Sequence, residues 1–155
     1  MGLFEKFFAK DNEQSDVFKY FPNIFLYKKK ILNILQKTST PIFLADKHIL
    51  LDRYDRLENA LKNNWKKYQI AYSFKTNYDV ARSHIFQSKG AWAEVVSGKE
   101  YGLAKKLGYT GGKIIFNGPY KASDELVQAF HDGALVHIDN VGELDIIIAL
   151  SKTIR

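Results

Sequence analysis

From Tyr68 onward, segments of strand pattern and segments of helix pattern alternate without interruption, and this alternation constrains the fold more than any other feature. The strand segments cover residues 68–74, 92–96, 113–117 and 134–139. The helical segments cover residues 80–88, 100–107 and 123–131, with a final helix from Val141 onward. Loops of a few residues join them, and Gly90, Gly108, Gly111, Gly112, Gly118 and Gly133 fall in those loops. Strict alternation with short loops forces successive strands to run parallel with right-handed crossovers. The fold class is therefore α/β, either a doubly wound sheet or a β/α barrel. Both bring ligands to the carboxyl ends of their strands.

Upstream, residues 48–65 read as an amphipathic helix with Leu50, Leu51, Tyr54, Leu57, Leu61 and Trp65 along one face. Before it, Ile42-Phe43-Leu44-Ala45 is an apolar run of strand length that follows the turn cluster Thr38-Ser39-Thr40-Pro41. Residues 1–37 carry Phe18, Phe21, Phe25, Ile31 and Leu35 at loosely helical spacing broken by Pro22. The expected division is a helical N-terminal segment over residues 1–39 and the α/β part over residues 40–155. A complete eight-unit barrel takes about 250 residues, so on the barrel reading these residues supply only about its first half. The apolar run Ile146-Ile147-Ile148-Ala149-Leu150 leads toward Arg155 with no cap or stop signal, as expected of a fragment.

Composition excludes several chemistries. With no cysteine there is no disulfide framework, thiolate metal site or cysteine nucleophile. The net charge of +6 is spread along the chain, Lys28-Lys29-Lys30 being its only run of three, which describes a solvated surface and argues against nucleic acid as partner. No window approaches 18 apolar residues, and the opening Met1-Gly2-Leu3-Phe4-Glu5-Lys6 is neither a leader nor a myristoylation signal. The expectation is a cytoplasmic protein with no membrane partner. His48, His84, His131 and His137 lack metal-ligand spacing, so no metal is expected. The first three fall on helices or helix starts, whereas alternation puts His137 on one strand face with Leu135 and Asp139.

The segment Ile70-Ala71-Tyr72-Ser73-Phe74-Lys75 sorts by its period of two: Ile70, Tyr72 and Phe74 on one face, Ala71, Ser73 and Lys75 on the other. The bulky side suits a helix layer and the small side a crowded interior. Lys75 then arrives at the carboxyl end of the strand. Partly desolvated there, its amine would attack an aldehyde and form a Schiff base; the alternative is a lysine that snorkels into solvent.

Tyr72-Ser73-Phe74-Lys75-Thr76-Asn77 resembles the pyridoxal-phosphate lysine motif of the fold-type III amino-acid decarboxylases, the group of diaminopimelate, ornithine and arginine decarboxylases. Four further segments resemble the same family in order: Thr40-Pro41-Ile42-Phe43-Leu44, Glu94-Val95-Val96-Ser97-Gly98-Lys99-Glu100, Ile114-Ile115-Phe116-Asn117-Gly118-Pro119-Tyr120-Lys121, and His137-Ile138-Asp139 with Glu143-Leu144. Ser73 and Thr76 stand where the family usually has alanine, and Glu94 where many members have aspartate.

The resemblance implies an alanine-racemase-like barrel, pyridoxal 5'-phosphate as cofactor and Lys75 as its Schiff-base lysine. It further implies Glu94 as an inward acid that orients lysine and cofactor; His137, brought to the same mouth by strand alternation, is a cofactor-binding candidate, although the family's ring-stacking histidine comes from a later segment. The implied partners are a small amino-acid substrate and, in the full-length family, a second identical subunit. The motifs for the phosphate, the pyridine nitrogen and the stacking group are not found in these residues, so the chain is expected to be inactive alone. Two other functions stay open: a racemase-like or pyridoxal-phosphate carrier protein on the same barrel, and a non-catalytic interaction module.

Overall fold

The computed structural model describes residues 27–39 and 41–152. Phe18, Phe21, Pro22, Phe25, Thr40 and Thr153 to Arg155 lie outside the described residues. The chain divides into two compact units, Met1–Leu44 and Ala45–Arg155. In the first, helix α1 (Lys28–Lys37) carries Ile31 and Leu35, of which Ile31 is buried.

The second unit opens with α2 (Lys47–Asn64), then alternates: β1 (Ala71–Ser73), α3 (Val80–Ser88), β2 (Trp92–Val95), α4 (Gly98–Lys106), a 3-10 turn (Gly111–Lys113), β3 (Ile114–Phe116), α5 (Ser123–His131), β4 (Leu135–Val136) and α6 (Val141–Ser151). Four of the six helices among the described residues start at a side-chain cap. The carboxylate of Asp46 accepts from the amides of His48 and Ile49, that of Asp79 from Arg82, the Ser97 hydroxyl from Glu100 and the Asn140 side chain from Glu143. After α4 the chain leaves through Gly108 at φ +87°, a left-handed conformation that other residues rarely adopt, and the device recurs after α3 and α5.

The four strands are parallel and stand in the order β1-β2-β3-β4. A doubly wound sheet reverses its order at a switch point and carries helices on both faces. Here the order never reverses, and α3, α4 and α5 all pack on one face. That face holds Tyr72, Phe74, Ala93, Val95, Ile114 and Phe116 against Phe86 of α3, Tyr101 and Ala104 of α4 and Ala129 of α5. Winding in one sense with a single helix layer is the geometry of a β/α barrel wall, which decides between the two architectures left open above. Tyr109 closes this core over Phe74 and donates its hydroxyl to the Ser83 carbonyl at 3.3 Å, and burial pushes its phenol up to about 12.

Below the core, at the amino ends of the strands, Tyr101 of α4 donates to Asp132 at 2.8 Å, and Lys105 and Gln128 bind the same carboxylate. Burial first, and the Asp132 hydrogen bond second, raise the Tyr101 phenol well above its ordinary value. Tyr101→Phe should therefore keep the ring in the core and lose about 1.5 kcal/mol in urea unfolding.

Two sequence expectations need correction. Residues 42–45 are not a strand: the segment pairs with no strand among the described residues, and Phe43 is 94% exposed. An apolar run has strand length but no ladder until an edge accepts it. The long face expected on α2 also narrows. Tyr54 is buried, tilted against Phe86, with its hydroxyl donating to the Lys89 carbonyl, whereas Leu57 and Trp65 (60%) are exposed. A helix buries only the stripe its neighbour covers, and α2 meets α3 over the turn that carries Tyr54.

Candidate cofactor-lysine site at the carboxyl ends of the strands

The sheet face opposite the helices holds Ala71, Ser73, Trp92, Glu94, Ile115 and Leu135. Register puts Ser73, Glu94, Ile115 and Leu135 side by side in one row, one residue from each strand. This is the face assigned by alternation to Ala71 and Ser73, and by the resemblance to Glu94. A barrel interior would enclose it, and Leu135 is 50% exposed there.

Lys75 sits in the turn that leaves β1 at its carboxyl end. The turn is tied down on both sides: Thr76 donates both its amide (3.4 Å) and its hydroxyl (2.7 Å) to the Ser73 carbonyl, and the Tyr72 hydroxyl donates to the Asn77 carbonyl at 2.7 Å. Thr76, unusual for the resembled motif, thus has a use. The Lys75 side chain itself is exposed and makes no hydrogen bond or ion pair among the described residues. The partial desolvation expected of it is not found, because the row beside it ends in an open face.

Glu94 is half-buried on β2. Its Oε1 accepts from Asn117 Nδ2 at 3.1 Å, while Oε2 has no hydrogen bond among the described residues. Next to it in register, the Ser73 hydroxyl is buried without a partner, an arrangement that costs stability unless something else satisfies it. His137 follows β4; its backbone amide donates to the Phe116 carbonyl, and its exposed ring makes no hydrogen bond or ion pair with Lys75 or Glu94. Lys75, Glu94 and His137 therefore share one end of the sheet with no hydrogen bond or ion pair joining them. The exposed His48, His84 and His131 lie elsewhere, on or beside helices.

The loops after β2, β3 and β4 are locked to one another around this end. Gly118 has φ +130°, and a Cβ there would stand 2.5 Å from the Val96 carbonyl oxygen. Gly118→Ala should accordingly cost about 1–3 kcal/mol, read as a lowered urea midpoint. Behind Gly118, Lys121 is buried and donates to the Gly118 carbonyl (2.7 Å) and to both oxygens of Glu143 (3.1 and 2.9 Å). Glu143 also accepts from the Asp139 amide, and Asn140 Nδ2 reaches the Pro119 carbonyl. Burial would raise the Glu143 carboxyl, but the Asp139 amide and the Lys121 ammonium outweigh it and hold it below its ordinary value. Lys121 and Glu143 fall in two separate segments of the family resemblance, and nothing in the sequence shows that they pair.

The fold is thus that of the β/α barrels, and its open interior face presents an amine, a carboxyl group and an unpaired hydroxyl at the strands' carboxyl ends. Residues 50–155 match the model of the pyridoxal-dependent decarboxylase, pyridoxal binding domain, and the chain belongs to that family. It is 27% identical over 129 residues to the diaminopimelate decarboxylase of Methanocaldococcus jannaschii, covering 80% of this chain and 29% of that protein. Over 117 residues it is 32% identical to the diaminopimelate decarboxylase of Bacillus methanolicus, covering 75% and 27%. The crystal structure of Helicobacter pylori diaminopimelate decarboxylase complexed with L-lysine superposes with a TM-score of 0.71 at 26% identity, covering 81% of this chain and 32% of that one. The chain spans less than a third of the length of the curated relatives it matches. No helix among the described residues is long and apolar enough to cross a membrane.

Family membership implies pyridoxal phosphate, and the row suits it. Lys75 is a free primary amine for an aldehyde, and the unpaired Ser73 hydroxyl and the open Oε2 of Glu94 are polar groups left for a ligand.

Proposed function

We propose that this chain is the pyridoxal-binding portion of a diaminopimelate-type amino-acid decarboxylase, with Lys75 as the attachment point for the cofactor. The reading is carried by the free Lys75 amine rising from a pinned turn at the carboxyl end of β1, beside the Ser73–Glu94 row. Pyridoxal phosphate, when bound, supplies the electron sink that makes loss of an α-carboxylate feasible. The protein's part is to hold the amine and move its proton. Lys75 Nζ must be neutral to bond to an aldehyde carbon, and Glu94 Oε2, free of other partners, is the acceptor for that proton. His137, at the same end of the sheet, is positioned to border the ligand.

The half-barrel of residues 40–155 does not decarboxylate by itself in this reading, which takes residues 1–39 as an N-terminal segment of their own. Trp92, Ile115 and Leu135 form an apolar patch on the open face, and a barrel interior of this kind is filled by side chains from all its strands. The complement is the remainder of such a barrel, with an amino acid as substrate, an identical subunit as partner and the cytoplasm as location. The test is an absorbance spectrum with added pyridoxal phosphate, before and after borohydride reduction, followed by peptide mapping. A visible band with the reduced label on Lys75 is the expected result; no band, or label scattered over surface lysines, overturns it.

A further inference from the structure

We propose that Asn117 is the positioning residue for the Glu94 carboxylate, presenting its free oxygen to the Lys75 end of the row; the inference rests on the cofactor-lysine reading above. Asn117 follows β3 on the open face, one step beyond Ile115, and its amide is held at both ends. Its Oδ1 accepts from the Gly118 amide at 2.8 Å, which fixes the rotation of the side-chain amide and leaves only Nδ2 to face Glu94, where it donates to Oε1 at 3.1 Å. The backbone beneath is equally determined. The Asn117 amide donates to the Val95 carbonyl at 2.8 Å, and Gly118 is pressed against the Val96 carbonyl, so β2 and the β3 loop cannot slide past each other.

The consequence for Glu94 is specific. A glutamate on an open sheet face has three rotatable bonds and, without a partner, turns toward water. With Oε1 occupied by Nδ2, the carboxylate is held in one orientation and Oε2 is the oxygen left over. Asn117 touches neither the amine nor a ligand in this scheme; it acts through Glu94.

The experiment uses the full chain and two readouts. The first is the side-chain amide of Asn117 in a 15N spectrum, expected to be shifted downfield and to move on Glu94→Ala; a signal that ignores that change overturns the contact. The second is the rate of borohydride-trapped labelling of Lys75 by pyridoxal phosphate. Asn117→Asp is isosteric and keeps the bond from the Gly118 amide, yet replaces the donor to Glu94 with a second carboxylate. It should slow labelling by about tenfold or more. The double variant Glu94→Gln with Asn117→Asp restores a hydrogen bond of reversed polarity. A purely structural role predicts that it recovers both Tm and labelling, and that result overturns the proposal; recovery of Tm with labelling still slow supports it. Wild-type labelling at Lys75 with an unchanged Asn117→Asp rate overturns the role of Asn117 alone. Absence of wild-type labelling at Lys75 overturns the cofactor reading and this inference with it.

Discussion

Lys75→Ala is expected to abolish borohydride-stable incorporation of pyridoxal phosphate into the mapped peptide, with a change in folding stability within about 0.5 kcal/mol. Attachment is covalent and depends on one atom, so the effect is a complete loss rather than a fraction. Stability is spared because the Lys75 side chain makes no hydrogen bond or ion pair among the described residues, and the turn beneath it is held by Tyr72 and Thr76. Mass spectrometry of the reduced protein and a denaturant titration check the two halves of the expectation. A large loss of stability would show that Lys75 is a structural residue, and undiminished label would move the attachment point elsewhere.

The second large effect concerns Lys121. Lys121→Ala leaves the Glu143 carboxylate, only 4% exposed, without its cation, and the Gly118 carbonyl without its donor. Removing one partner of a buried pair costs about 3–5 kcal/mol, which lowers Tm on the order of 10–20 °C in a unit of this size. Replacing both residues together, Lys121→Met with Glu143→Leu, should recover part of this. Recovery stays partial because the Gly118 carbonyl and the Asp139 amide still lose their partners. The pH dependence has a definite sign. The Glu143 carboxyl is held below its ordinary value in the fold, so its contribution is complete above the ordinary carboxylate range and is lost as pH falls through the folded value. The gap between wild type and Glu143→Gln, measured by urea midpoint, should narrow on acidification and be wide at neutral pH.

Much of this architecture was legible in the sequence. The alternation of periods two and 3.6 gave the order of elements from Tyr68 onward, and the starts it set at Val80, Glu100, Ser123 and Val141 fall within two residues of the observed ones. Alternation also sorted Tyr72 and Phe74 from Ala71 and Ser73 correctly, because a strand covered on one side must put its bulk there. Periodicity alone did not decide between barrel and doubly wound sheet, since that depends on strand order, a relation between segments rather than a property of any one; the family resemblance of the motifs pointed to the barrel that the strand order shows. The same reason hid the Lys121–Glu143 and Asn117–Glu94 contacts, which join residues 22 and 23 positions apart. Residues 42–45 show the converse failure: their pattern was right for a strand, but pattern does not supply an edge to pair with.

The turn that carries Lys75 separates two kinds of freedom. Its backbone is fixed by hydrogen bonds from Thr76 and Tyr72, while the four-carbon side chain above it is unconstrained. Capturing a ligand there freezes rotamers of one residue and no stretch of chain, an entropic cost of at most about 2 kcal/mol, where ordering a loop of several residues would cost several times as much.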